Sequence, residues 1–407
     1  ELQLKGITSM EGIASFENLE RLTVRDYPDT NLKQLVPLKR LNYLSLEDTV
    51  DSDSIISTDK DKIRVKDYSA ISVMSGLKSL YLNSDIIKDI GFIKGLPALE
   101  DLTLEDTAVI SLASLSEMPA LRSLTLLGNN KVQDFGPVGT ATGLTSLSID
   151  KMTSQPDPDL SSLSGLVKLD IKGFMSISSV RGLSGLKELS IHNCNVDQAD
   201  ALSSLTGVER LTFYSVWNSQ GNLRSLDFLK GMTGLKYADF TGNLDGTGWS
   251  GYNYLVEVYG DVSSIFNHQG LEELYLDNGK FEINFDKIKE NPGLRVLSLR
   301  NMELHKNYYV ESYGGMTSVW YDDVKLGEHM DILSRFPNLE ELYLDSNELT
   351  DLNFAAGLKN LKRLGLKDNY ITDLSPLKQA EFLEYLDIRD NPVGEVGDVG
   401  NGVEILQ

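Results

Sequence analysis

The stretch LKRLGLKDNYITDLSPLKQAEF, residues 361–382, contains one full period of the chain. It opens with L-x-x-L-x-L, continues through Asn369 and Ile371, and then places apolar side chains at steps of three. Alternation in the opening segment puts Leu364 and Leu366 on one face of a short strand and Arg363, Gly365 and Lys367 on the other. The spacing of three that follows suits a 3₁₀-like return, because the apolar stripe of an α-helix runs at three and four.

The opening pattern recurs at Leu19, Leu41, Leu77, Leu99, Leu121, Leu144, Leu166, Leu186, Val208, Leu235, Leu271, Leu294, Leu339, Leu361 and Leu383, mostly at steps of 20 to 23 residues. Val109, Leu112, Leu115 and Met118 repeat the spacing of three, as do Ile87, Ile90, Ile93 and Leu96. One such unit cannot bury its leucines alone, so neighbours must stack into a continuous core. The expected fold is an α/β solenoid, a leucine-rich repeat horseshoe with a concave parallel β-sheet and a mostly 3₁₀ or irregular convex side. It is expected to run as a single solenoid over 1–407, cut within a repeat at both ends.

The 22-residue form, in NELTDLNFAAGLKNLKRLGL and NYITDLSPLKQAEFLEYLDI, resembles the internalin-type leucine-rich repeats of bacterial surface proteins. The resemblance covers the chain, apart from three much lengthened repeats and central repeats without Asn at position 9. It implies a protein-binding or adhesin role and names no ligand.

Composition narrows the functional classes. With 38 Lys and Arg against 60 Asp and Glu, the formal charge is −22, which opposes phosphate backbones and anionic lipid surfaces. One cysteine rules out an intrachain disulfide and zinc sites built on paired thiolates. The sequence has no Asn-x-Ser/Thr acceptor, and none of its apolar stretches approaches the roughly 20 residues of a membrane span. These absences suit a bacterial origin, and the resemblance implies a place at the cell surface or outside the cell, with export signal and anchor expected outside this fragment. A monomer is expected, with no direct membrane insertion and no nucleic-acid partner.

The repeats starting at Leu41, Leu235 and Leu294 run 36, 36 and 45 residues, and the Val208 repeat runs 27. The extra residues place rim insertions at about 50–66, 217–224, 244–261 and 305–329. Because they enter at one repeat phase, they are expected on one rim, where loops often carry binding. Of 17 tyrosines and three tryptophans, nine fall within 249–260 and 308–321, among them Trp249, Tyr252, Tyr254, Tyr308, Tyr309, Trp320 and Tyr321. Such rings anchor protein interfaces and also stack on sugars; the alternative is a satellite core that pins each insertion to the solenoid.

Positions 3, 5 and 7 of each anchor should project from the concave sheet. They read Glu273, Tyr275 and Asp277, then Val296, Ser298 and Arg300, then Glu341, Tyr343 and Asp345, with Tyr214 and Tyr237 on preceding strands. This aromatic and mostly acidic face, together with the insertion rings, is the candidate partner surface. The expected ligand is a protein presenting basic or hydroxyl-rich groups. A glycan is the alternative ligand, and a spacer that projects another domain is the alternative role.

Neither catalysis nor a cofactor or metal is expected. GTGWSG, residues 246–251, matches G-x-G-x-x-G, but YNYLVEVYG follows and alternates like a strand, where a dinucleotide site needs a helix. The polar insertion with Asp51, Asp53, Asp59 and Asp61 lacks the turn glycine of a calcium loop. His192, His268, His305 and His329 show no ligand spacing, and Asp277 with Asp345 lacks the water-excluding cleft that acid and base chemistry needs. Cys194 falls at position 9, held elsewhere by Asn129, Asn347, Asn369 and Asn391. It is therefore expected inside the scaffold, with His192 on the opposite face.

Overall fold

The computed structural model describes residues 1–7, 9–26, 32–47, 67–214, 226–242, 257–313, 316–394, 396, 399 and 402–407. It divides into two compact units, Glu1–Leu186 and Lys187–Gln407.

In the first unit the strands are β1 (Leu2–Lys5), β2 (Arg21–Arg25), β3 (Tyr43–Glu47), β4 (Ser79–Asn83), β5 (Asp101–Glu105), β6 (Ser123–Leu127), β7 (Ser146–Asp150) and β8 (Lys168–Lys172). Each pairs in parallel with the next, and equivalent repeat positions lie side by side. The sequence decides the layering. At positions 4 and 6, Leu102 and Leu104 are buried, while Asp101, Thr103 and Glu105 face outward to varying degree. The return is a 3₁₀ turn, Ala113–Glu117, that brings Leu112 and Leu115 against the strand leucines. Burying each such leucine contributes about 2 kcal/mol, and only a neighbouring repeat makes that burial complete.

Position 8 ends the strand in a left-handed residue, at Asp26, Asp106, Asn193, Ser346, Asp368 and Asp390 among others. Most are Asn or Asp, the side chains that adopt this conformation most readily after glycine. Gly128 holds the same position, and a Cβ there would collide with the Asp106 carboxylate. The Leu144 repeat is different: Lys151 occupies position 8 with its side chain fully buried. Its ammonium lies 2.8 Å from Asp157 and donates to the carbonyls of Gln155 at 2.7 Å and Gly173 at 2.9 Å.

The second unit contains β9 (Glu188–His192), β10 (Arg210–Tyr214), β11 (Tyr237–Asp239), β12 (Glu257–Asp261), β13 (Glu273–Tyr275), β14 (Lys280–Glu282), β15 (Val296–Ser298), β16 (Glu303–Tyr313), β17 (Met316–Val324), β18 (Glu341–Tyr343), β19 (Arg363–Gly365), β20 (Tyr385–Asp387) and β21 (Glu404–Leu406). Nine of these form its main parallel ladder, in the order β9-β10-β11-β13-β15-β18-β19-β20-β21. The other four form a second sheet, with β12, β14 and β16 parallel and β17 antiparallel to β16. The expectation of a leucine-rich repeat solenoid with a parallel sheet and 3₁₀ returns holds. The lateral sheet was not foreseen.

Position 9 behaves as the repeat alignment requires. Asn369 donates to the carbonyls of Leu344 at 3.0 Å and Leu366 at 2.8 Å, and its Oδ1 accepts from the backbone N–H of Asn347 at 3.1 Å and Leu349 at 2.9 Å. One amide therefore stitches two repeats and satisfies groups that the turn would strand. Cys194 takes this place in its own repeat. It is fully buried, and its thiol donates to the His192 carbonyl at 3.1 Å, while the His192 ring lies 6.0 Å from Tyr214 on the sheet face. Among the described residues no helix is long and apolar enough to cross a membrane.

Candidate functional site

The register of the second unit brings the candidate residues onto adjacent strands. Tyr237 pairs with Glu273, Glu273 with Val296, and Val296 with Glu341; two residues along, Asp239, Tyr275, Ser298 and Tyr343 follow the same order. The rings of Tyr237 and Tyr275 lie 5.3 Å apart, tilted by 41°. Each tyrosine hydroxyl donates to a carboxylate on its own strand: Tyr237 to Asp239 at 3.2 Å, Tyr275 to Glu273 at 3.2 Å and Tyr343 to Glu341 at 2.6 Å. Partial burial raises all three phenols, with the nearby carboxylate charges adding to it, and Tyr237 is pushed up to about 12. The rings therefore stay protonated and uncharged across the physiological range.

Arg300 organises the next row. Its Nε donates to Asp345 at 2.7 Å, its Nη1 lies 3.3 Å from Asp277, and its guanidinium sits 4.3 Å from the Tyr343 ring centroid. Asp277 also accepts from the Ser298 hydroxyl at 2.6 Å and the Arg300 N–H at 2.9 Å. Burial still raises its pKa, against the pull of those donors and of the Arg300 charge. Asp277 and Ser298 are buried beneath this row. Asp277, Arg300 and Asp345 thus form a self-satisfied triad that braces the floor of the face, leaving Tyr237, Tyr275 and Tyr343 with Glu273 and Glu341 partly exposed above it.

The insertion after β15 folds as a hairpin, starting at Glu303 and ending at Val324. Its register sets Tyr308 opposite Tyr321 and Tyr309 opposite Trp320. Trp249, Tyr252 and Tyr254, the GTGWSG stretch and the polar segment 50–66 lie outside the described residues, as does 217–224. The structure thus gathers Tyr214, Tyr237, Glu273, Tyr275, Asp277, Arg300, Tyr343 and Asp345 on one sheet face and carries Tyr308, Tyr309, Trp320 and Tyr321 on the hairpin that follows it.

A recurring pair went unnoticed in the sequence. Arg210 stacks 3.7 Å from the centroid of Tyr237, and Arg363 4.2 Å from that of Tyr385, each the direct register partner on the following strand. Arg21 and Tyr43 repeat the arrangement at 3.8 Å in the first unit. The available signal was an arginine and a tyrosine at position 3 of successive repeats. Among the described residues no group of three or more His, Cys, Asp or Glu is placed to hold a metal ion.

Comparisons with known proteins agree with this architecture. The chain matches the family model for Leucine Rich repeats (2 copies) over residues 337–379. No curated protein matches it in sequence. Among solved structures, a leucine-rich repeat protein of Leptospira interrogans aligns over 100% of this chain and 99% of its own, at 16% identity and a TM-score of 0.63. TLR13 in its complex with ssRNA13 aligns over 96% of this chain and 54% of its own, at 17% identity and a TM-score of 0.65. Internalin InlF of Listeria monocytogenes covers 96% of this chain and 87% of its own, at 16% identity and a TM-score of 0.45. The first two likenesses establish the fold. The chain has the leucine-rich repeat fold, and residues 337–379 match the leucine-rich repeat model itself.

Proposed function

We propose that this chain is a bacterial surface or secreted interaction module that binds a protein partner through the sheet face of its second unit and the aromatic insertions beside it. The observation that carries this reading is the set of half-buried, neutral rings, Tyr237, Tyr275 and Tyr343, held by carboxylates and arginines of the same face. Rings fixed this way lose little rotamer freedom on binding, which is what an interface anchor needs. The net charge of −22 opposes an RNA ligand.

The test compares proteins captured from host-cell surface extract by the wild type and by a Trp249→Ala, Tyr275→Ala, Trp320→Ala triple variant. Partner capture is expected to fall while the urea midpoint stays near that of the wild type. Unchanged capture would remove the proposed site, and selective signals on a glycan array would move the ligand class from protein to sugar.

A further inference from the structure

Most charged side chains of the second unit's sheet are satisfied within it. Glu209 pairs with Lys187 at 3.0 Å and Lys236 at 3.2 Å, Glu340 with Arg295 at 2.5 Å and Lys362 at 2.7 Å, and Arg389 with Asp387 at 2.6 Å. The Arg300 triad is closed by its two aspartates, and Arg363 lies over the Tyr385 ring at 4.2 Å.

Several charged groups lie outside these pairs, Asp239, Glu341 and Arg363 among them, and two of them, Arg210 and Glu273, flank the Tyr237 ring. Arg210 lies flat on Tyr237 at 3.7 Å and forms no ion pair among the described residues. Glu273 accepts only the Tyr275 hydroxyl, at 3.2 Å, and likewise forms no ion pair among them. Register places Arg210, Tyr237 and Glu273 side by side on β10, β11 and β13, so a cation and an anion lie two strand spacings apart, about 10 Å. A guanidinium stacked on a ring keeps its edge N–H groups available for a planar acceptor.

We infer that β10, β11 and β13 form a dipolar subsite for a polypeptide partner, which sets a carboxylate against Arg210, a basic side chain against Glu273, and apolar surface over Tyr237 and Tyr275. The spacing selects the ligand class. A zwitterionic lipid headgroup or a free amino acid holds its two charges within a few bonds and cannot reach both groups. Two side chains of one polypeptide can, for example two helical turns apart, about 11 Å. The inference rests on the proposed protein-binding role of this face and specifies the charge pattern it reads.

The probe is an alanine-based helical peptide with one Glu and one Arg two turns apart, compared with its Gln/Gln counterpart by NMR titration at low salt. The Glu/Arg peptide is expected to shift the Tyr237 and Tyr275 ring signals and to bind more tightly than the control. Arg210→Gln and Glu273→Gln should each weaken it by about three- to tenfold, and Asp101→Asn, at the same repeat position in the first unit, should leave it unchanged. Equal binding of the two peptides, or wild-type affinity in both charge variants, overturns the inference. If the ring variant loses partner capture while both charge variants keep it, the dipolar subsite fails and the protein-binding reading stands. If the ring variant keeps it too, both fall.

Discussion

Asn369 holds two carbonyls and two backbone N–H groups of adjacent repeats through one amide. Its replacement by Ala leaves several of these groups buried without partners, and each such group costs roughly 1–3 kcal/mol. Asn369→Ala is therefore expected to lower unfolding free energy by about 3 kcal/mol, measured by urea denaturation. Cys194→Ala forfeits one weak S–H donor and is expected to cost about 1 kcal/mol. A cost for Asn369→Ala no larger than that for Cys194→Ala would show that the ladder is not a main support of the turn. Both positions were legible in the sequence, because a strict repeat lets one alignment assign burial and direction to every copy. The ion pairs across strands were not. Arg300 and Asp345 are 45 residues apart, and repeat positions give adjacency without saying which side chains will close on each other.

At the scale of elements, the lateral sheet is the part the sequence concealed. β14 lies in a repeat of ordinary length, so no insertion announces it, and among the described residues β14 is the strand that pairs with β12. The hairpin had a signal, Gly314-Gly315 between two β-rich runs, which repeat counting passes over. Asp261, at the end of β12, ties this sheet to the 3₁₀ turn Phe285–Lys287. It pairs with Lys287 at 2.6 Å and accepts from the Ser263 N–H at 3.0 Å and the Asn284 N–H at 3.4 Å. Burial pushes its pKa upward, but the bonds from Lys287, Ser263 and Asn284 outweigh that and leave it below the ordinary value of 3.8. A carboxylate depressed in the folded state stabilises fully above its unfolded pKa, and that contribution is lost as pH falls through the folded pKa. Asp261→Asn is thus expected to be less stable than wild type at neutral pH, with the two urea midpoints converging as pH falls below the ordinary aspartate value. A gap that stays constant as the pH is lowered would assign the role of Asp261 to shape rather than charge.

Over the whole molecule two electrostatic effects compete, and salt separates them. The chain carries a formal charge of −22, a repulsion that acts over tens of ångströms and opposes compactness. Against it stand exposed pairs such as Lys78 with Glu100 at 3.0 Å and Lys325 with Glu348 at 3.1 Å, each worth only about 0–1 kcal/mol. The screening length falls from about 30 Å at 0.01 M to about 8 Å at 0.15 M salt, which removes most of the long-range repulsion but only part of an attraction across 3 Å. Raising sodium chloride from about 0.01 M to about 0.3 M is therefore expected to increase the thermal midpoint. Over the same range the advantage of the Glu/Arg peptide over its Gln/Gln counterpart should shrink, because that advantage comes from exposed charges. Stability and charge-specific binding then move in opposite directions with one variable. A midpoint that falls with salt would mean that the short pairs, not the net charge, dominate the balance.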